Sequence, residues 1–294
     1  MKSLFKLSAI LCVMIFSSSC EDVVQIKLDE GSKLYVIDAF VNDNREDQVI
    51  RIHTNDSYFS NREAPPVLNA SVVLKDLSTD KQFTFDHTSN GNYVYQVSGS
   101  DTIARVNHQY ELNVTIEGVT YTSLTTQKRT AGIDSIGAEF FDGNSGFGPP
   151  GQAYYLCFLY AKDKVDEMTD YYWVKTFRND SLLFRSQDIN ISIDGTNGPV
   201  SGIPVDSTDF TPPITFIGFK QYQKGNTCKV EIHSIAKETY YFFIQASQQI
   251  NNSGLFATTP ENVKTNIVTP RDAATKAIGW FNMATVASKK ITIP

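Results

Sequence analysis

The chain has 294 residues, which is enough for one large or two medium-sized domains. It carries 26 basic against 32 acidic residues, a formal net charge of −6, and its basic residues form no patch, so the composition argues against a nucleic-acid-binding protein. The 14 Tyr and 19 Phe residues, together with many Val, Ile and Thr residues, favour β-strands.

A short apolar segment follows two positive charges at the N-terminus. Lys2 and Lys6 flank the start of the apolar run 7–16, which is shorter than the roughly 20 apolar residues needed to cross a bilayer. A positive start, a short apolar run and small residues at its end are typical of a secretory signal peptide. The sequence therefore predicts a signal peptide over residues 1–19, which takes no part in the fold.

Cys20 follows three serines at the predicted cleavage site. Small residues before a cysteine resemble a bacterial lipobox, in which the thiol is acylated, although Ser17 stands where most lipoboxes have leucine. Acyl chains contribute about 0.8 kcal/mol per buried methylene, so an acylated Cys20 would anchor the protein to a membrane. Glu21 and Asp22 resemble the acidic surface-export signal of Bacteroidota lipoproteins, and we expect residues 20–32 to form a lipidated tether. The alternative is an ordinary signal peptide with a chance cysteine.

Residues 33–127 contain short segments in which apolar and polar residues alternate, separated by turn signals. Segments of this kind are typical of β-strands. Their number and spacing predict a β-sandwich of about 100 residues. The predicted strands are 34–41, 48–54, 71–77, 82–85, 93–97, 110–116 and 119–125.

Residues 127–132 form a polar junction, and we place a domain boundary between residues 127 and 128. The second domain, 128–294, again consists mainly of predicted strands and so is expected to be a second β-sandwich. These strands are 133–141, 153–160, 171–177, 182–184, 189–193, 214–219, 227–233, 277–283 and 289–293. His53 and His233 lie in predicted strands, which favours structural histidines that are hydrogen-bonded.

One helix interrupts the strands of the second domain. Residues three to four apart share one face of it, namely Thr239, Phe242, Phe243, Ala246 and Ile250. The pattern predicts a helix over residues 235–250, with Ser234 as its N-cap. We expect its aromatic face to pack on an open face or end of the second domain.

Two cysteines, Cys157 and Cys228, remain after the signal peptide and Cys20. An even pair in an oxidising compartment is compatible with a disulfide bond. Two separate buried thiols would give the same sequence pattern. Because pairing depends on geometry, the sequence leaves both alternatives open.

The sequence contains no motif for catalysis, a metal or a cofactor. None of the four histidines belongs to an HExxH motif, and GxSxG, P-loop and GxGxxG motifs are absent. Asp142 and Asn144 resemble the start of a calcium loop, but no Glu follows at the required spacing, which favours a plain turn. We therefore predict a protein that is not an enzyme and has no catalytic residue, metal or cofactor.

Three short segments resemble the O-glycosylation signal of Bacteroidota, in which Asp precedes Ser or Thr and an apolar residue follows. The hydroxyls concerned belong to Thr102, Ser135 and Ser181. Short matches also arise by chance, so O-glycosylation at these residues is a hypothesis.

The whole layout resembles a Bacteroidota lipoprotein family known as domain of unknown function 4249. The segments that carry the resemblance are 19–22 followed by 34–40, then 68–74, then 235–243 leading into 260–267, and finally 277–281 with 286–290. The resemblance implies an immunoglobulin-like or transthyretin-like N-terminal domain and a C-terminal β-domain with one helix. It also implies an outer-membrane lipoprotein that accompanies a TonB-dependent receptor, and it brings no catalytic residues.

These observations lead us to expect a non-enzymatic outer-membrane lipoprotein, anchored through Cys20 and facing the cell surface. It would act as the accessory or docking subunit of a TonB-dependent receptor or a similar β-barrel complex, in nutrient uptake or outer-membrane assembly. The loops 142–150 and 195–213 are candidate contact surfaces. The alternative is a carbohydrate-binding or adhesin module, in which Tyr58, Phe59 and Phe147 would stack on sugars.

Overall fold

Strands in which the side chains alternate between two faces make up most of the structure. This structure is a computed structural model, and it describes residues 31–57, 60, 62–99, 102–144, 151–162, 169–183, 189–193, 221–252 and 263–294. The strands are β1 (Leu34–Asn42), β2 (Gln48–Thr54), β3 (Ala70–Asp76), β4 (Gln82–Ser89), β5 (Asn92–Tyr95), β6 (Gln109–Ile116), β7 (Val119–Thr126), β8 (Gly132–Phe141), β9 (Tyr154–Lys162), β10 (Tyr171–Arg178), β11 (Ser181–Leu182), β12 (Ile191–Ile193), β13 (Thr227–Ile235), β14 (Lys276–Ala284) and β15 (Val286–Thr292), and the helix is α1 (Lys237–Ile250). In β1 every second residue is buried, as the two-residue period of a strand requires.

Eight strands form the first sheet, in the order β14-β1-β2-β5-β4-β3-β6-β7. β14 pairs with β1 in parallel, and the other neighbours are antiparallel. β4 pairs with β3 through residues 82–85 and with β5 through its second half, where the register shifts between His87 and Ser89. The two halves of the sheet enclose one core, which gives a β-sandwich.

β14 comes very close to β1 and completes the core of this first sandwich. Gly279 lies opposite Ile37 with a φ of +116°, and a Cβ atom there would be 2.0 Å from the Ile37 carbonyl oxygen. Only glycine fits this position, because it tolerates positive φ and has no side chain. Ala277, Phe281 and Met283 of β14 are buried in the first core.

Residues 264–269, here called the closing segment, lie between β7 and β14, the two ends of the first sheet. Val268 exchanges backbone hydrogen bonds of 2.7 and 3.2 Å with Thr122 of β7. The Asn266 side chain accepts a hydrogen bond from the Phe281 N–H of β14 at 2.9 Å and donates one to the Phe281 carbonyl at 2.8 Å. The closing segment therefore occupies polar backbone groups that would otherwise form open strand edges.

A second sandwich consists of the hairpin β8–β9 and a sheet in the order β11-β10-β13-β15, in which β12 also pairs with β10. The residues buried in its core include Ile136, Cys157, Leu159, Tyr172, Val174, Tyr222, Cys228, Val230, Ile232 and Ile293. The predicted fold class is confirmed: the protein is mainly β, with two sandwiches and, among the described residues, one helix.

The two sandwiches share the C-terminal part of the chain. Thr285 alone separates β14 in the first sheet from β15 in the second. Residues Lys33–Pro294 make up one compact unit. The strand pairing thus runs across the predicted boundary between residues 127 and 128, because β14 returns to the first sandwich.

Helix α1 begins at Lys237, two residues later than predicted, and ends at Ile250 as predicted. The predicted N-cap was wrong, because Ser234 belongs to β13 and its Oγ donates a hydrogen bond to the Lys128 carbonyl at 2.8 Å. Ala236 takes the N-cap position without a side-chain hydrogen bond. A tertiary partner thus outweighs the local preference of serine for helix starts.

The expected position of α1, on the second domain alone, was also incomplete. Phe243 stacks on Phe40 of β1 with a centroid distance of 5.5 Å and lies 4.8 Å from Trp173 of β10. The helix therefore contacts both sandwiches.

Candidate functional site

The two sandwiches meet through a group of aromatic rings. Phe40 of β1 contacts Trp173 of β10, with ring centroids 5.4 Å apart, and Phe243 of α1 packs against both. On β14, Trp280 stacks on Phe242 of α1 at 4.5 Å. Aromatic pairs contribute about 0.5–1.5 kcal/mol beyond the area they bury, so these rings give the interface a stable apolar centre.

Ionisable side chains, here called the interface charge cluster, lie beside these rings: Asp38, His53, Lys175, Glu231 and His233. Glu231 is 6% exposed and His233 4% exposed. One Glu231 oxygen accepts a hydrogen bond from Lys229 Nζ at 2.9 Å, and the other accepts one from His233 Nε2 at 2.9 Å. A carboxylate only accepts hydrogen bonds, so Nε2 is the ring nitrogen that carries hydrogen.

The pKa values of this pair fix its charge at neutral pH. Burial alone would raise the pKa of Glu231, but the hydrogen bonds from His233 and Lys229 outweigh burial and lower that pKa to about 2. Burial lowers the pKa of His233 to about 4, against the opposing attraction of Glu231. At pH 7 Glu231 is therefore ionised, and His233 is neutral and donates to it.

Asp38 and Lys175 bring opposite charges from the two sandwiches to the same region. Burial raises the pKa of Asp38, against the attraction of nearby basic groups that include His53 and Lys175. Burial also lowers the pKa of Lys175, against the attraction of Glu231 and Asp38. The Lys175 ammonium lies 4.1 Å from the centroid of the Trp173 ring, a cation–π contact that compensates part of its lost hydration.

A second set of polar groups, here called the polar seam, consists of Gln127, Ser234, Thr239, Asn282 and Thr285. The hydroxyls of Ser234 and Thr285 both donate to the Lys128 carbonyl, at 2.8 and 2.7 Å. The Thr285 N–H donates to Ser234 Oγ at 2.8 Å, and Gln127 Nε2 donates to Thr285 Oγ1 at 2.9 Å. Three distant chain segments are thereby held together at the point where β14 becomes β15.

Thr239 connects helix α1 to this seam. Its hydroxyl donates to Asn282 Oδ1 at 2.9 Å and accepts a hydrogen bond from Trp280 Nε1 at 2.9 Å. The same Asn282 oxygen accepts the Ala236 N–H at 3.2 Å. Two side chains of β14 thus fix the first turn of the helix.

A cleft of about 290 Å³ opens beside the polar seam, with Lys128, Glu238 and Trp280 among the residues that line it. Leu124 lies at its rim and is 54% exposed, and Val268 is 61% exposed. Because Val268 pairs with Thr122, Leu124 and Val268 are diagonal neighbours on the same face of the first sandwich. Both belong to the exposed large apolar side chains among the described residues.

The polar groups of the interface bond mainly to one another. Of the buried side-chain nitrogen and oxygen atoms that the structure describes, only Gln127 Oε1 and Thr227 Oγ1 have no hydrogen-bond partner. Within the described ranges, no group of three or more His, Cys, Asp or Glu side chains is placed to hold a metal ion. The hydrogen bonds of the interface charge cluster and the polar seam therefore serve to join the two sandwiches.

Several predicted functional residues fall outside the described residues. These are the lipidation site Cys20, the export signal Glu21 and Asp22, and the aromatic residues Tyr58, Phe59 and Phe147 proposed for sugar stacking. Lipidation, export and sugar binding therefore remain predictions.

The three predicted glycosylation hydroxyls, of Thr102, Ser135 and Ser181, all belong to exposed residues. A glycan at any of them would extend into solvent. Glycosylation of these residues remains a prediction. Asp142 and Asn144 form a turn, in which Asp142 Oδ1 accepts the Asn144 N–H at 2.9 Å.

The two predicted partner cysteines come together in the second core. Cys157 of β9 is 2% exposed, Cys228 of β13 is fully buried, and both are free thiols in the structure. A hydrogen bond with the Cys228 thiol, together with burial, raises the pKa of Cys157. Two unbonded buried thiols were one of the two alternatives left open by the sequence, and the disulfide bond remains a prediction.

Sequence reasoning missed most of the interface. His233 makes the hydrogen bond predicted from its strand position, but the sequence analysis did not identify its partner Glu231. The signal that could have found it is the alternation in β13, where Lys229, Glu231 and His233 share one face opposite Val230 and Ile232. Three ionisable residues in a row on a strand face indicate either solvent or a polar interface, and only the fold decides between them.

The fold and the interface define a β-sandwich protein of two fused parts. The chain belongs to the family described as domain of unknown function (DUF4249), whose model matches residues 21–290, and the resemblance found in the sequence is thereby confirmed. No curated protein matches the chain.

Among solved structures, the chain is similar to the FN1–FN3 domains of chicken CNTN1, with 10% sequence identity and a TM-score of 0.22. The match covers 71% of this chain and 64% of that one, so the chain spans less than two thirds of its length. In the described part of the chain, no helix has both the length and the apolar character needed to cross a membrane.

Proposed function

We propose that this protein is a non-enzymatic outer-membrane lipoprotein that docks on a β-barrel complex, such as a TonB-dependent receptor, at the cell surface. The sequence supports an anchor through Cys20 and export directed by Glu21 and Asp22. Extended residues span at most about 3.3–3.6 Å each, so the tether 20–32 would allow the body to reach a barrel about 40 Å from the anchor.

The observation that carries this proposal is the interface between the sandwiches. Its polar groups are used for holding the two parts as one body, through bonds such as Ser234 to Lys128 and Thr239 to Asn282. Binding costs free energy when loops and domains must be ordered, so a body that is already rigid binds a large partner at lower cost. For a docking subunit, such rigidity would lower the free-energy cost of binding its partner.

The exposed pair Leu124 and Val268 is the first described surface to test for docking. Exposed apolar side chains that lie together mark interaction surfaces more often than single ones do. The cleft beside Leu124 adds Lys128 and Glu238, which would give a partner directional polar contacts.

The test is purification of the tagged, lipidated protein from membranes in a mild detergent. We expect an outer-membrane β-barrel to co-purify, and we expect the double variant Leu124→Glu/Val268→Glu to lose most of it. The matched control is Leu182→Glu in β11, an exposed apolar residue of the second sandwich. Recovery of the lipidated wild-type protein without any barrel would contradict the proposal.

Cell-surface exposure is tested separately by adding protease to intact cells. The wild-type protein should be cleaved, and a Glu21→Ala/Asp22→Ala variant should be protected because it stays on the inner face of the membrane. Equal cleavage of both proteins would show that these two acids do not direct export.

A further inference from the structure

We propose that Cys157 and Cys228 form a disulfide bond that joins the two sheets of the second sandwich. The proposal relies on the export step of the proposed function, because a disulfide forms and persists in an oxidising compartment. It does not depend on docking or on any partner.

The first argument is position. Cys157 lies in β9, which pairs with β8, whereas Cys228 lies in β13, between β10 and β15. The two strands belong to different sheets, and both side chains point into the core between them. Cys157 is 2% exposed and Cys228 is fully buried in this core. Segments far apart in the sequence therefore bring the two cysteines into one buried core.

The second argument concerns the surroundings of the pair. Tyr222 is fully buried beside the thiols, and its hydroxyl interacts with Cys228. Tyr222 is held in place from the side of β9, since it exchanges backbone hydrogen bonds of 2.8 and 2.9 Å with Tyr155. The strand that carries Cys157 and the neighbour of Cys228 are thus fixed relative to each other.

The chemistry is thiol–disulfide exchange. The thiolate of one cysteine attacks the disulfide of an oxidant, which is a protein or small-molecule disulfide, and releases one thiol of that oxidant. The second cysteine then attacks the mixed disulfide and releases the other thiol. Two protein thiols are oxidised, one external disulfide is reduced to two thiols, and no other reactant is needed.

The exchange takes place before the second sandwich closes. In the folded protein the two cysteines are at most 2% exposed, so an oxidant has no path to them. Once formed, the bond is protected from reducing agents for the same reason. It closes a long loop, and long loops give a disulfide its largest effect on the unfolded chain.

The test is mass spectrometry of peptides from the full-length exported protein, alkylated in denaturant without a reducing agent. We expect a cross-linked peptide pair that contains Cys157 and Cys228, lighter by two hydrogen atoms than the reduced pair. The same sample reports acylation of Cys20. Acylated Cys20 with both other cysteines alkylated would overturn the proposal and leave export intact, whereas an unmodified Cys20 would count against export.

A second measurement follows stability. Reduction of the exported protein in denaturant, followed by refolding with reductant, should lower its melting temperature by about 5–15 °C. The Cys157→Ala/Cys228→Ala variant should melt at one temperature with or without reductant. The native wild-type protein, treated with the same reductant without denaturant, should keep its disulfide. Identical melting of oxidised and reduced wild-type protein would contradict a stabilising bond.

Discussion

His233 links the stability of the interface to pH. In the folded protein it stays neutral down to about pH 4, because burial lowers its pKa, whereas an exposed histidine takes up a proton near pH 6.5. Between these values the unfolded chain binds more protons than the folded one. The contribution of His233 to stability is therefore present above pH 6.5 and decreases as the pH falls toward 4.

We expect a His233→Gln variant to lose this pH dependence. Between pH 7 and pH 5 the wild-type free energy of unfolding should fall by about 1–2 kcal/mol more than that of the variant, because the variant has no proton-binding group there. Urea unfolding at the two pH values measures the difference. His87→Gln, a change of an exposed histidine, is the control and should keep the wild-type behaviour. Equal pH dependence in wild type and His233→Gln would show that another group is responsible.

The closing segment is the element that protects the first sandwich. It pairs with β7 through the backbone of Val268 and with β14 through the side chain of Asn266. An amide side chain mimics a peptide group, so one asparagine satisfies an N–H and a carbonyl that would otherwise lie at a strand edge. The edge of β14 is thereby covered at Phe281 by a side chain, without a further strand.

A Val268→Pro variant should open this element locally. Proline has no N–H, so the 2.7 Å hydrogen bond to the Thr122 carbonyl is lost. We expect the amide of Thr122 to exchange with solvent about 5–30 times faster, which corresponds to about 1–2 kcal/mol.

Val268→Thr is the matched control, because it keeps the N–H and changes only a side chain that is 61% exposed. Its exchange rate at Thr122 should match the wild type. If both variants exchange equally, the side chain rather than the hydrogen bond holds the segment.

Sequence patterns predicted most elements because alternation is a local property. The predicted strand 48–54 is β2, and the predicted helix 235–250 differs from α1 by two residues at its start. The partners of the elements were not predictable in this way. No sequence pattern in or beside β14 indicates that it pairs in parallel with β1. Gly279, in the middle of the strand, does indicate that another backbone comes close there.

The candidate site was less predictable than the fold. Ser234 matched the rule for a helix cap, but the Lys128 carbonyl, far away in sequence, provides its acceptor. The contacts of such an interface depend on how whole strands and helices pack against one another. A short stretch of sequence carries no information about that packing. The family was recognisable because its motifs follow one another in a fixed order along the whole chain.

For the whole molecule, the sharing of β14 means that the first sandwich should not fold by itself. A fragment of residues 33–127 lacks β14, which contributes Ala277, Phe281 and Met283 to the core. We expect this fragment to show no cooperative thermal unfolding by circular dichroism. Its control is the same fragment joined through a Gly/Ser linker to residues 263–284, which should regain a transition. Cooperative unfolding of the short fragment would show that β14 is dispensable.

The position of β1 also matters for mechanical load. If the protein is anchored through Cys20 as proposed, a pull on the chain would apply force at Leu34, the first residue of a strand bonded to β2 on one side and to β14 on the other. Under such a load the hydrogen bonds of both ladders are sheared together rather than opened one after another. β1 is therefore the strand best placed to bear tension, and force on it would pass through β14 and Thr285 directly into the second sandwich.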